Sequence, residues 1–393
     1  MKKYPSQGMF YLEQFIAFFF GASIFAISLT QLRGGGRIGP FEILLVLLSI
    51  TWLLVSIPAR PNAFKFSIDL IPITYFLCIL LPVTVLSFFL QSNGANFTEL
   101  AAYLLCGIIA FISFRKYEIY SETMIYGLVA AIIFYSSYLV LTGSFFGISA
   151  EEVYGSRWRG ASKNPNQTSL YSIVAIGLMS LRLNRKYLIL PLVLCLMLAL
   201  RAFSDAFLGG MLIGGLLALF AAIFIHGGKV LKTLCWAFFL PLIIFIVIIY
   251  IPEFPVFFDA IMDEADEGGG RITLAQNGVL AFLHSPVIGN GAGVFSGGYF
   301  PFDGAEAHNT FIDFAAIGGL ILPIIFYSIF ALALNIRIKQ KSYFDTWILS
   351  AFIIFSLAHF IGRHPIVWVY WSYNLYDILK FYEIPLLTSQ DKS

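Results

Sequence analysis

Apolar runs of about 20 residues recur along nearly the whole chain, parted by short links that hold most of the charge. At 1.5 Å per residue such a run matches the ~30 Å hydrocarbon core of a bilayer. The pattern predicts helical spans over residues 10–30, 38–57, 67–90, 99–114, 121–142, 167–183, 187–201, 205–226, 233–251, 310–334, 345–361 and 365–380. Two links break the rhythm, residues 143–166 and 252–309. In the second, Asp263-Glu264-Ala265-Asp266-Glu267 and Gly268-Gly269-Gly270 read as a solvated, flexible lead-in. Residues 271–283 then place Ile272, Ala275, Val279 and Phe282 on one stripe and Thr273, Gln276 and Asn277 elsewhere. That spacing predicts an amphipathic helix lying along a membrane surface.

Composition agrees with the pattern. The chain has 393 residues, 59% hydrophobic and 12% charged, with a mean hydropathy of +0.85. Soluble domains carry about 25% charged residues. The reading is an all-α polytopic membrane protein, one transmembrane domain over 1–393 with about twelve spans and a large loop containing short helices. The start, Met1-Lys2-Lys3 before an apolar run, resembles a signal peptide, but the run is too long for one and lacks a small-x-small cleavage site. It is taken as the first span. Cys78, Cys106, Cys195 and Cys235 all lie inside apolar runs at no close spacing, which points away from a metal or disulfide framework. No internal repeat or paired broken span of the kind seen in transporters is visible.

Net charge, +2, says little by itself, and no basic stripe suggests nucleic acid. Its distribution says more. With the N-terminus inside and the links alternating, fifteen of the 24 basic residues fall inside and eight outside, with Lys380 at an edge. This bias puts both termini in the cytoplasm and both long links on the outer face. Arginines outside run against the insertion trend and so call for another cause.

Arg157-Trp158-Arg159-Gly160 and Asn164-Pro165-Asn166 occupy the first long link. A guanidinium is a permanently charged planar fork suited to phosphate oxygens, so Arg157 and Arg159 suit either an anionic substrate or lipid headgroups. Asn166 or Gln167 is expected to begin the next helix, with an asparagine capping it. In the second link, Arg271 opens a helix against the dipole's preference. It answers either to a ligand or to Asp266 or Glu267. His308-Asn309 stands where the chain re-enters the membrane. An imidazole there can exchange a proton near neutral pH, and Asn309 can orient a hydroxyl or cap a helix. Asp313, one turn on, can orient a partner or merely cap. Arg201 is expected to pair with Asp205 in a tight turn. Asp69 and Asp205 are acids in apolar surroundings, and neither is assigned a role. His359 and His364 lack a carboxylate or thiol at ligand spacing. No hydrolase elbow, phosphate loop or zinc-protease motif occurs.

In order and spacing these blocks resemble the O-antigen ligase and polymerase superfamily of bacterial envelope glycosyltransferases. Arg157, Gly160, Asn164, Pro165 and Asn166 match the family's Arg-x-x-Gly-x-x-x-Asn-Pro-Asn. Arg271, an apolar helix, and Pro286, Gly289, Gly291 and Gly293 match its second block. His308, Asn309 and Gly319 match the third. The resemblance covers roughly residues 150–325. It departs at Ser204-Asp205-Ala206, where the family often has Ser-Arg-small and this chain carries Arg201 three residues earlier.

The resemblance implies a type-C glycosyltransferase-like fold in the bacterial inner membrane with a periplasmic active site. It implies transfer of a glycan from undecaprenyl diphosphate to a hydroxyl of a glycan or lipid A-core acceptor, inverting and independent of metal or other cofactor. The expected partners are that donor, the acceptor and membrane lipids. Catalytic roles are expected for His308, Arg157 and Arg271, and substrate contacts for Arg159, Asn309, Asn166 and Gly291. Fixed arginines can stabilise the charge that develops on a departing diphosphate. Ligase and polymerase share this donor chemistry, and the ligase branch is preferred on the His-Asn-x9-Gly block. A lipid-linked sugar transporter is the alternative of another class, and it would require polar groups near mid-membrane.

Overall fold

The computed structural model describes residues 7–29, 39–56, 80–89, 95–145, 148–149, 158–162, 164–230, 232–233, 268–297 and 306–382. Arg157, Lys163, Asp69, Cys78, Cys235, the acidic run 263–267, the predicted span 233–251 beyond residue 233, and most of 67–90 lie outside them.

The described helices are α1 (Gln7–Ala26), α2 (Pro40–Ser56), α3 (Leu80–Phe89), α4 (Ala95–Thr142), α5 (Pro165–Arg182), α6 (Arg185–Ala202), α7 (Asp205–Phe220, continued by a π-turn over Ala221–Ile225), α8 (Gly268–His284), α9 (Thr310–Gly318), α10 (Ile321–Lys339), α11 (Tyr343–Ala358) and α12 (Pro365–Phe381). One two-residue pair, Ser144–Phe145 with Ile148–Ser149, is antiparallel. Within the described residues four helices are long and apolar enough to cross a membrane: Gly8–Ala26, Phe97–Thr142, Asp205–Ile225 and Ile321–Lys339. Leu212, Ile213, Leu216, Leu217 and Phe220 of α7 are exposed. A bare apolar face of that extent belongs against lipid rather than water. The chain is an all-α membrane protein.

Two predicted spans, 99–114 and 121–142, merge into α4. As a straight rod its 48 residues would reach about 72 Å, more than twice a bilayer core. The contacts forbid a straight rod. Near its start Glu99 pairs with Arg363, whose neighbour His364 meets the Tyr171 ring at 5.6 Å. Tyr171 lies 6.4 Å from Phe25, and Phe25 lies 5.8 Å from Tyr135. That path is shorter than the roughly 54 Å that a straight helix would put between residues 99 and 135. The helix therefore bends near residue 117, and both arms run between the same two ends of the bundle. No proline lies in α4; the bend sits where polar partners gather. Tyr117 donates its hydroxyl to Asp377, which also takes Arg337 at 2.8 Å and Arg182 at 3.5 Å. The Arg182 guanidinium stacks 3.6 Å over the Tyr117 ring. Lys116 meets the buried Glu13 of α1 at 2.6 Å. The bend of α4 and the ends of α5, α10 and α12 form one polar knot, opposite the end that carries residues 158–162, 164–166, 306–309 and 359–364.

The expected span 310–334 is divided. Gly319 takes φ 62° and ψ −163°, so α9 stops and α10 restarts on a new axis. Nor does Arg201 pair with Asp205 among the described residues. Its guanidinium lies 5.6 Å over the Trp158 ring, while Asp205 is an exposed acid in the first turn of α7, where the helix dipole favours it.

Candidate functional site

The second and third sequence blocks prove to be one mechanical unit. Asn290 and Gly291 donate their backbone N–H groups to Ala316 and Ile317 at 2.9 and 2.8 Å, and Leu320 donates to Pro286 at 2.9 Å. The Asn290 side-chain amide also donates to Ala281 and Ala316. Gly289 and Gly319 have φ of 74° and 62°, and their backbones lie against each other's strands of chain. A Cβ at Gly289 would stand 2.2 Å from the Ile317 oxygen, and one at Gly319 would stand 2.2 Å from the Val287 oxygen. Glycine is required on both counts, conformation and contact.

This dock aligns α8 with α9. Gly278, midway along α8, faces Ala307 and Ile312 at the start of α9, while Ala281 joins Ala316 through Asn290. The two helices therefore run parallel, and their N-terminal ends point the same way. Arg271 lies in the first turn of α8, exposed. His308 lies just ahead of α9, half-buried, at φ 53°. Burial first, and the Arg271 charge second, hold the His308 imidazole below its ordinary pKa. It is thus the neutral, proton-accepting form at neutral pH. Arg271 thus stands within electrostatic reach of His308, 37 positions apart in sequence.

Asn309 is the N-cap of α9, its Oδ1 accepting from Phe311 at 2.9 Å and Ile312 at 3.2 Å. This is the capping alternative for that residue. Gly291, expected as a substrate contact, sits in the dock. It is buried, its N–H is taken by Ile317, and a Cβ would meet Ser87 of α3 at 2.6 Å.

The first block builds a tight turn at the same end. Gly160 has φ 61°, and the next N–H, of Ala161, donates to the Tyr135 hydroxyl at 2.8 Å. The Arg159 carbonyl accepts from Ser162 at 3.1 Å and from the Thr168 hydroxyl at 2.8 Å. Trp158 donates its N–H to the Arg201 carbonyl. The Arg159 Nε is buried and has no hydrogen-bond partner among the described residues, which leaves a charged donor in want of an acceptor. The helix cap is Asn164, accepting from the N–H of Asn166 at 2.9 Å with Pro165 at the first helical position. Asn166 therefore stands one position inside the helix rather than capping it. Arg157, one residue before Trp158, lies outside the described residues.

The link 359–364 joins the two blocks. The His359 ring stands edge-on to His308 with centroids 6.0 Å apart, and His364 stands edge-on to Tyr171 of α5. Arg363 between them pairs with both Glu99 and Glu306. His359-Phe360-Ile361-Gly362-Arg363-His364 gathers three basic side chains into six residues between two apolar runs. That density of basic groups, rather than any metal-ligand spacing, is the signal the sequence carries for this link.

The result is a polar floor at one end of an apolar bundle. The Arg271 guanidinium and the His308 imidazole lie there, and a second guanidinium, of Arg159, stands in the turn at the same end. Guanidinium groups suit an anion, above all a phosphate, and the imidazole suits a hydroxyl. No family model matches the chain, and no curated protein matches it in sequence.

Proposed function

We propose that the protein is a membrane glycosyltransferase that moves a glycan from a polyprenyl diphosphate, of the undecaprenyl type, onto an acceptor hydroxyl at the outer face of the bacterial inner membrane. The observation that carries this reading is the half-buried His308 imidazole just ahead of α9, with the Arg271 guanidinium of α8 within electrostatic reach and helping to lower its pKa. A charged imidazole could not take a proton. A neutral one beside a fixed cation can, while the cation holds the diphosphate.

The reaction then runs as follows. The acceptor oxygen attacks the anomeric carbon, and its proton passes to His308. The bond from that carbon to the diphosphate oxygen breaks, and the lipid diphosphate leaves with the electron pair. Arg271 and Arg157 hold the leaving group as its charge grows, with Arg159 beside them. Attack in line with the leaving group inverts the anomeric centre. The fold assignment to the type-C glycosyltransferases, the twelve spans and the periplasmic facing of the site belong to this same reading. They are supported by the order of the three blocks and by the excess of basic residues on the other face.

Surface glycan from cells lacking the gene tests it on a gel. Loss of a ligase leaves bare acceptor while lipid-linked polymer accumulates. Loss of a polymerase leaves a single repeat attached. The ligase branch is the first choice on the third block. Complementation with His308→Ala is expected to reproduce the deletion; wild-type surface glycan from that variant would refute the proton acceptor assigned here.

A further inference from the structure

We infer that Asp313 is a positioning residue for His308: its carboxylate grips the backbone on both sides of that histidine and sets where the imidazole stands. The inference deepens the transferase reading, but its geometric content does not depend on it.

His308 is one of three non-glycine described residues at positive φ. An L side chain there is strained and persists only where the surroundings over-determine it. What determines it is visible. Asp313 Oδ1 accepts from the N–H of Ala307 at 3.1 Å, and the carboxylate also takes the N–H of Asn309. The two amides that flank His308 thus converge on one carboxylate. From the other side Thr310 anchors the loop, donating to the His359 carbonyl at 2.6 Å and accepting from Ile361 at 3.1 Å. With both neighbours pinned, the peptide units around His308 have no freedom to relax.

Helix capping explains only part of this: reaching back to the Asn309 N–H is a capping-box bond, whereas the bond to Ala307, two residues before the cap, is not. Asn309 already satisfies the first free N–H groups of α9. Asp313 instead bonds backwards, out of the helix, and is 5% exposed. Its Oδ2 has no hydrogen-bond partner among the described residues. Burying a carboxylate with one oxygen unmatched is costly, and the backward grip on the residue-308 loop is what it provides in return. The titratable groups around the imidazole are Arg271 from α8, His359 after α11 and Asp313 itself. The Glu306–Arg363 pair lies two residues upstream.

The test reads His308 directly and needs no substrate. Full-length protein in detergent is treated with diethyl pyrocarbonate over a range of pH, and carbethoxylation of His308 is followed by peptide mass spectrometry. In Asp313→Ala the loop is expected to relax, so His308 reacts severalfold faster and its pH midpoint rises toward the ordinary ~6.5. Asp313→Asn keeps an acceptor oxygen in the same place and is expected to behave as wild type. If the alanine variant does not fold, the asparagine variant decides alone, because a shifted His308 in it overturns the inference. So does an unshifted His308 in a folded alanine variant. In a transfer assay Asp313→Ala is expected to lower kcat on the order of tenfold to a hundredfold, as small misplacements do. KM for the donor should be unchanged, and Asp313→Asn should restore the rate. Absence of transfer in the wild type itself would strike the transferase reading and leave the His308 result standing.

Discussion

A histidine that is to take a proton from a sugar hydroxyl must be neutral before it acts. Burial and Arg271 both push the His308 pKa down, so the charged form accumulates only below the usual ~6.5. Activity is therefore expected to hold through neutral pH and fall on the acid side below that value. Arg271→Gln removes one of the two causes and leaves burial, so the acid limb should move to higher pH while staying under the ordinary value. A rate–pH profile, or the carbethoxylation midpoint of His308, checks both position and direction. Arg157→Lys keeps the charge and loses the planar fork. It is expected to cut transfer by at least about tenfold, read from initial rates at saturating acceptor. At this scale the sequence showed which residues were unusual: Arg271 is a cation opening a helix, and His308 stands where a polar link meets an apolar run. It did not show the backbone. That Asn164 and not Asn166 caps α5, that Gly291 sits in the dock, and that Asp313 bonds backwards all depend on φ angles and on neighbours far along the chain.

Between elements, the decisive feature is the glycine dock of the 286–291 turn against the end of α9. Gly289→Ala or Gly319→Ala adds a methyl group about 2.2 Å from a backbone oxygen, at a φ that alanine resists. Each is expected to destabilise by about 2–4 kcal/mol, combining left-handed strain with overpacking. Thermal unfolding in detergent checks this. The same change should loosen α8 from α9 and let the His308 midpoint rise, since Arg271 would no longer be held near it. Element boundaries were largely legible: the 271–283 helix is observed as Gly268–His284, and 365–380 as Pro365–Phe381. Hydropathy failed where length was the only guide. It ran α9 and α10 together across Gly319, because a glycine between apolar residues leaves no mark on a window average. It also parted the two arms of α4, because a charged link between apolar runs reads the same whether it is a loop or a bent helix.

For the whole molecule, the bend of α4 places the site at one end and the Arg182–Arg337–Asp377 knot at the other. Asp377→Ala would leave two guanidinium groups facing each other without their shared carboxylate. Breaking a buried pair costs about 3–5 kcal/mol. With the Asp377 side chain 20% exposed, water softens that loss toward about 3 kcal/mol. The expected signature is a lowered Tm with the His308 midpoint unmoved, since the knot lies at the opposite end. No pattern in the sequence foretold this knot. With Tyr117 its members come from four helices, and they meet where α4 bends.

The most direct measurement is transfer by the purified protein in liposomes, using a synthetic polyprenyl diphosphate glycan as donor and following both donor consumption and acceptor glycosylation. The wild type is expected to glycosylate the acceptor, with His308→Ala and Arg271→Ala each slower by about a hundredfold or more, the loss typical of a general base or of one charge-stabilising donor. Transfer at the wild-type rate in either variant would contradict the account.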